Sequence, residues 1–165
     1  DTKPDVLYQY GIMGSVYVKK VLKKTNPRVA LLNIGKEESK GNLAVRSAYE
    51  LMSDSIHFNF VGNQEANHLF SDNLADVIVC DGFVGNIVLK EGEAFYKLLR
   101  KRNIKDKFFD KFNFENFGGS TILGASGIVV IGHGISSPKA IMNMIFHTRD
   151  MVKADLVSEI IKEIN

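Results

Sequence analysis

The 165 residues predict an α/β protein of three αβα layers, with helices on both faces of a mostly parallel sheet. Three observations lead there. Short apolar runs recur at RVALLNIG (28–35), HFNFVGN (57–63), VIVCDG (77–82) and IVVIGHG (128–134). Between them lie stretches with apolar residues at helical spacing. The first run is apolar without alternation, as in a strand covered on both faces.

The elements follow in order. Residues 4–24 place Val6, Tyr10, Met13, Val16, Tyr17 and Val21 every three to four positions, which predicts an amphipathic helix. Pro4 suits its first turn, and Asn26-Pro27 ends it. Strand 28–35 comes next, then a polar loop, KEESKGN (36–42), and a helix over LAVRSAYELM (43–52). HFNFVGN alternates and turns, as a second strand does. A short acidic stretch, 64–76, precedes the third strand at 77–82. Residues 86–103 read as a helix that becomes basic, and 104–117 as a second amphipathic piece grouping Phe108, Phe109 and Phe112. GGSTILGASG (118–127) reads as a loop, 128–134 as the fourth strand, and 135–165 as one long helix or a pair. Ser136 or Ser137 would cap that helix, with Pro138 in its first turn. We read residues 1–165 as one α/β domain or half-domain, with a helical hairpin at about 91–117.

Composition narrows the function. With 45% hydrophobic and 24% charged residues the chain is that of an ordinary globular protein. A net charge of +2 is too weak to argue for nucleic acid, and no nucleic-acid-binding motif is present. The single cysteine, Cys80, excludes an internal disulfide and a CxxC metal site, and suits a reducing cytosol. It lies on an apolar run without a neighbouring base, as a core cysteine does. His57, His68 and His147 show no ligand spacing, so no metal site is assigned.

In open α/β sheets, ligands bind beyond the carboxyl ends of the strands. Three such ends carry polar clusters: NIGKEESKGN (33–42), CDGFVGN (80–86) and GHGISS (132–137). Lys36 and Lys40 suit an anion that Gly41 lets backbone N–H groups approach, although a solvated loop is the plainer reading. Asp81 stands at a strand mouth between apolar residues and Gly82 and Gly85, where capping the helix that starts near Asn86 is an equal alternative to catalysis. His133 lies between glycines ahead of two hydroxyls, Ser136 and Ser137, at a helix start that favours phosphate. Gly118 and Gly119 permit a long ligand or another backbone to pass closely. The basic, Phe-rich stretch 95–117 fits a partner subunit, an anionic membrane surface, an acidic carrier protein or a solvated helical hairpin.

GSVYVKKV, NPRVALLNIGKEESKGN, FNFVGN, ADVIVCDGFVGNIVLK, FGGSTILG, VVIGHGISSPKAIMNMI and the terminal helix, in that order, resemble the bacterial phosphate acyltransferases of phospholipid synthesis. The resemblance covers nearly the whole chain but only about the C-terminal half of such an enzyme. The family's N-terminal Gly-Gly-Asp strand end has no counterpart, and 91–117 is shorter than its projecting helical pair. The resemblance implies a fold similar to that of isocitrate and isopropylmalate dehydrogenases, and homodimers formed through this portion. It implies attack of inorganic phosphate on a long-chain acyl thioester of acyl carrier protein, without a cofactor. The acyl phosphate then passes to a membrane-bound glycerol-3-phosphate acyltransferase, from a cytoplasmic enzyme attached peripherally to the membrane. Lys40, with the backbone of Gly41 and Asn42, becomes the candidate anion site, shared with Ser136 and Ser137. His133 becomes a proton donor or hydrogen-bonding partner, Asn86 a donor to the carbonyl oxygen, and Asp81 the residue that orients Lys40 or Asn86. Gly82 and Gly85 give the substrate room, and the loop from Gly118 and Gly119 lies along the acyl chain. The alternatives are a short-chain phosphate acetyl- or butyryltransferase using coenzyme A, and a non-catalytic dimerisation half-domain.

Overall fold

The computed structural model describes residues 2–69, 71 and 75–165. They divide into two compact units, Asp1–Gly82 with Leu156–Asn165, and Phe83–Asp155.

The first unit holds helix α1 (Pro4–Lys20), strand β1 (Arg28–Asn33), helix α2 (Leu43–Ser53), strands β2 (Asn59–Glu65) and β3 (Val77–Val79), and the terminal helix α5 (Leu156–Ile164). The sheet is parallel, in the order β2-β1-β3. β1 lies in the middle, and its Val29, Ala30 and Leu31 are buried, which is why the run lacks alternation. Helix α1 packs against β3, α2 and α5, and α2 against β2 and β1. Leu7, Met52 and Leu156 are buried with the strand residues; each such side chain contributes about 1.5–3 kcal/mol. Gly14 allows the closest approach, because a Cβ there would lie 2.5 Å from Val77 Cγ1. Tyr10, expected on the inner face of α1, is exposed.

Asp76 ties the entry of β1 to that of β3. Its carboxylate is nearly buried, accepts from Arg28 N at 2.8 Å, and pairs with the Lys24 ammonium and, at 3.6 Å, with Arg28 Nε. Its own N–H donates to Arg28 O at 2.7 Å. Burial works to raise the carboxyl, but the Lys24 hydrogen bond, the Arg28 N–H and the two cationic charges outweigh it and hold Asp76 below the ordinary carboxylate range.

The second unit takes in most of helix α3 (Gly82–Lys101), two 3-10 turns (Phe109–Phe112 and Phe114–Asn116), strands β4 (Gly119–Ile122) and β5 (Val129–Gly132), and helix α4 (Pro138–Lys153). β4 and β5 pair antiparallel, Gly119 opposite Gly132 and Ile122 opposite Val129. Helix α4 packs on both strands, where Thr121 Oγ1 meets His147 Nε2 at 3.1 Å. Burial pulls the His147 imidazole below its ordinary range, against the opposing charge of Asp150. Among the described residues no helix is long and apolar enough to cross a membrane.

The α/β class and the parallel sheet flanked by helices stand as expected. Several elements differ. The fourth apolar run does not join the parallel sheet; it pairs with residues 119–122, which were expected to be loop. Helix α3 begins at Gly82 rather than near Asn86. Residues 104–117 carry 3-10 turns, because Asp106 Oδ1 accepts from Phe108 N and Asn113 Oδ1 from Glu115 N, local bonds that compete with an α-helix. The terminal helical stretch takes the second of its two expected forms, a pair, parted at Asp155, whose φ is 48°. The acidic stretch 64–76 lies partly outside the described residues; its first two residues, Gln64 and Glu65, end β2, and a 3-10 turn, Ala66–His68, follows.

Asp76→Asn keeps the size and removes the charge. Its folded-state pKa is depressed, so the wild-type advantage is present above the unfolded carboxylate value near ~4 and is lost as pH falls through the lower folded value. Urea unfolding of both proteins across pH is expected to show a difference of about 1–3 kcal/mol near neutrality that closes in acid. A difference independent of pH would contradict the ion-pair explanation.

Candidate functional site

The carboxyl edge of the parallel sheet is built from three strand ends. With Leu31 opposite Val79, the register carries Asn33 and Asp81 to the same edge, and Asn33 stands opposite Glu65 of β2. The loop that leaves β1 there is held from below by two buried amides. Asn33 Nδ2 donates to Lys40 O at 3.0 Å, while Asn33 Oδ1 accepts from Ile34 N at 2.8 Å. Asn63 Nδ2 donates to Glu37 O at 2.9 Å. Lys40 N donates back to Glu37 O at 3.1 Å, closing the turn. Each of these Asn side chains is only 9% exposed. Neither was a sequence candidate, although both stand in strand-end tripeptides, NIG and VGN, that mark the mouth.

Gly41 completes the loop. Its φ of 90° lies in the left-handed region, and a Cβ there would stand 2.7 Å from Asn33 Oδ1. Asn42 then caps α2, its Oδ1 accepting from Val45 N at 2.9 Å. The exposed Lys40 is therefore fixed at its backbone while its ammonium reaches solvent beside the N-terminus of an eleven-residue helix. Such an end favours an anion. Lys36 is likewise exposed on this loop.

Asp81 directly precedes Gly82, the first residue of α3, which is the capping position that its sequence context allowed. Gly82, Gly85 and Asn86 fall at i, i+3 and i+4 of α3, on one face. A Cβ at Gly82 would meet open space, so packing does not require this glycine. Asn86 is exposed, one turn inside the helix rather than at its start. Cys80 is half-buried, and burial, joined by the Asp81 charge, pushes its thiol up, away from thiolate chemistry.

In the second unit His133 follows β5 and helps to line a cavity of about 220 Å³ with Glu93, Phe112 and Ile135. His133 Nε2 lies 3.8 Å from Glu93 Oε1, and the Glu93 carboxylate is held by Lys90 Nζ at 3.1 Å. Glu93, absent from the sequence candidates, sits about three turns along a helix that runs on from CDGFVGN; spacing alone did not mark it. The two serines are engaged locally. Ser136 Oγ donates to His133 O at 2.6 Å, and Ser137 Oγ accepts from Ala140 N at 3.3 Å as the cap of α4. Ser137 thus keeps a hydroxyl proton to donate, whereas the Ser136 proton is committed. Gly118, with φ of 87°, and Gly119 serve close packing: a Cβ on either would come within 2.5 Å of Met144 N or Ile131 O respectively.

The candidates thus divide between the units. Lys40, Gly41, Asn42, Asp81 and Gly82 belong to the first, and Gly85, Asn86, Gly118, Gly119, His133, Ser136 and Ser137 to the second.

Comparison with known proteins gives this arrangement a relationship. The fatty acid synthesis protein family matches over residues 1–102. A protein named phosphate acyltransferase from Dictyoglomus turgidum is 38% identical over 184 aligned positions, covering 100% of this chain and 54% of that protein. Proteins of the same name from Halothermothrix orenii and Desulforudis audaxviator are 42% and 40% identical, over 100% and 97% of the chain and 55% and 53% of their own lengths. The chain spans about half the length of the curated relatives it matches. An alignment of 184 positions exceeds the 165 residues available, so at least 19 positions of the D. turgidum alignment have no residue of this chain. With a match over most of its length, and with the glycine turn, the capped helix and the strand-end acid all inside the matched region, the chain belongs to the fatty acid synthesis protein family.

Proposed function

We propose that the chain carries the phosphate-binding part of a phosphate acyltransferase, which makes acyl phosphate from inorganic phosphate and a long-chain acyl thioester of acyl carrier protein. Its similarity over 97–100% of its residues to proteins of that name supports the reaction class. The carrying observation is the loop 35–42, where buried Asn33 and Asn63 hold the backbone that presents Lys40, Gly41 and Asn42 at the start of α2.

The chemistry asks for an anion site rather than a protein nucleophile, and the raised Cys80 thiol agrees with that. A phosphate oxygen attacks the thioester carbonyl, the new C–O bond forms, and the C–S bond breaks. The proton carried by hydrogen phosphate leaves with the thiol, so atoms and charge balance. Lys40 and the helix start hold the dianion, work that lies in positioning and electrostatics. Asp81 orients Lys40 or Asn86, Asn86 donates to the carbonyl oxygen as charge develops there, and His133 serves the departing sulfur. Gly82 and Gly85 leave the start of α3 bare for the substrate.

The partners in this reading are acyl carrier protein, a membrane-bound glycerol-3-phosphate acyltransferase that consumes the product, and a second copy of the enzyme. It works in the cytoplasm against the membrane surface. The apolar stripe Ile141, Met142, Ile145 and Phe146 on α4, at least 46% exposed at each position, supports the homodimer. The exposed Ile104 and Phe108 among the cations of 95–117 support a surface or carrier contact.

Trapping of acyl phosphate as hydroxamate tests the reading, on the chain and on the full product of its gene. Lys40→Ala is expected to lower kcat/KM for phosphate by roughly a hundredfold, and Gly41→Ala to lower it by displacing the same loop. Acyl phosphate formation at the wild-type rate in Lys40→Ala would sink the anion-site assignment, and activity with acetyl-coenzyme A alone would replace the long-chain donor by a short-chain one.

A further inference from the structure

We infer that the cavity beside His133 receives the phosphorylated pantetheine arm of the thioester donor, with Lys97 and Arg100 binding its phosphate; this rests on the carrier-thioester reading above. Glu93, Tyr96, Lys97 and Arg100 line the cavity and fall at i, i+3, i+4 and i+7 of α3, a single helix face. Phe112, from the first 3-10 turn, and Ile135, after β5, give it apolar walls. Among the described residues neither Lys97 nor Arg100 has an ion pair or side-chain hydrogen bond, whereas Lys90 on the same helix is paired with Glu93.

The face therefore has two ends of different character. One end is the Glu93–His133 pair, and the other two uncompensated cations. Seven residues of helix separate Glu93 from Arg100, roughly 10 Å along the axis, farther than one phosphate ion extends. The ligand that fits has an anion at one end and a neutral, partly apolar body that reaches His133. In a carrier thioester the acyl side is uncharged to its methyl end, while the other side runs from sulfur through an amide-linked chain to a phosphodiester. Only that arm brings an anion to Lys97 and Arg100 with its sulfur toward His133. A folded carrier's own carboxylates lie on a surface too large to enter about 220 Å³.

Isothermal titration of the chain with 4′-phosphopantetheine, pantetheine and inorganic phosphate at one ionic strength tests the assignment. The phosphorylated arm is expected to bind roughly tenfold tighter than pantetheine, and the Lys97→Ala/Arg100→Ala variant, with an unchanged unfolding midpoint, to bind both alike. Lys97→Gln/Arg100→Gln, which keeps the stems, should behave the same way. No preference in the wild-type protein, a preference that survives in both variants, or displacement of the arm by an equal concentration of inorganic phosphate would overturn it. Failure of the full gene product to make acyl phosphate, with the preference intact, would overturn the proposed reaction and support the arm site.

Discussion

The loop after β1 depends on two amide side chains beneath it. Asn33 and Asn63 rise from adjacent parallel strands and each donates to a carbonyl of the loop, Lys40 O and Glu37 O. Without them Lys40 O would lose its side-chain donor and Glu37 O would keep only Lys40 N, and a buried bond left unmade costs about 1–3 kcal/mol. The arrangement carries such a cost in one place: Asn63 Oδ1 is buried and has no partner among the described residues. Its amide orientation is nonetheless fixed, because turning it over would face an oxygen toward Glu37 O. Loop shape has evidently been favoured over full satisfaction of that side chain.

From this constraint the rest of the edge follows. Asn33 Oδ1 occupies the space that a Cβ at position 41 would need, so Gly41 is required both by its positive φ and by its neighbour. Gly41 in turn sets the chain for Asn42 to cap α2, and the capped helix starts where Lys40 stands. The second unit has its own logic, in which α4 closes on Gly118 and strand β5 on Gly119 so tightly that neither has room for a side chain. There the glycines serve backbone packing, and the cavity is lined by α3, Phe112 and the turn after β5.

Much of this was legible in the amino-acid order. The unbroken apolar run of β1 reports a strand covered on both sides, and Ser137-Pro138 reports a capped helix start, because both signals are local. Non-local choices were not legible. Ser120, Thr121 and Ile122 form a strand only because residues 129–131 come back to pair with them, and the surrounding glycines hid the pairing. Gly82 and Gly85 likewise concealed the first turn of α3, although Asp81 stood at its capping position. Among the candidates, Lys40, Gly41 and Asp81 showed through their types and places, while Asn33 and Asn63 in the first unit and Glu93 in the second act through contacts that no spacing records.

The most direct test is an amide-resolved NMR titration of the chain with inorganic phosphate, repeated for Asn33→Ala. The expected result is shifts concentrated in the amides of Gly35 to Val45 that saturate in the wild-type protein and are lost or severalfold weaker in the variant, while the core amides of α1 and β1 keep their positions. Saturating shifts centred elsewhere, or an unchanged response in Asn33→Ala, would contradict a phosphate site built on the two buried asparagines.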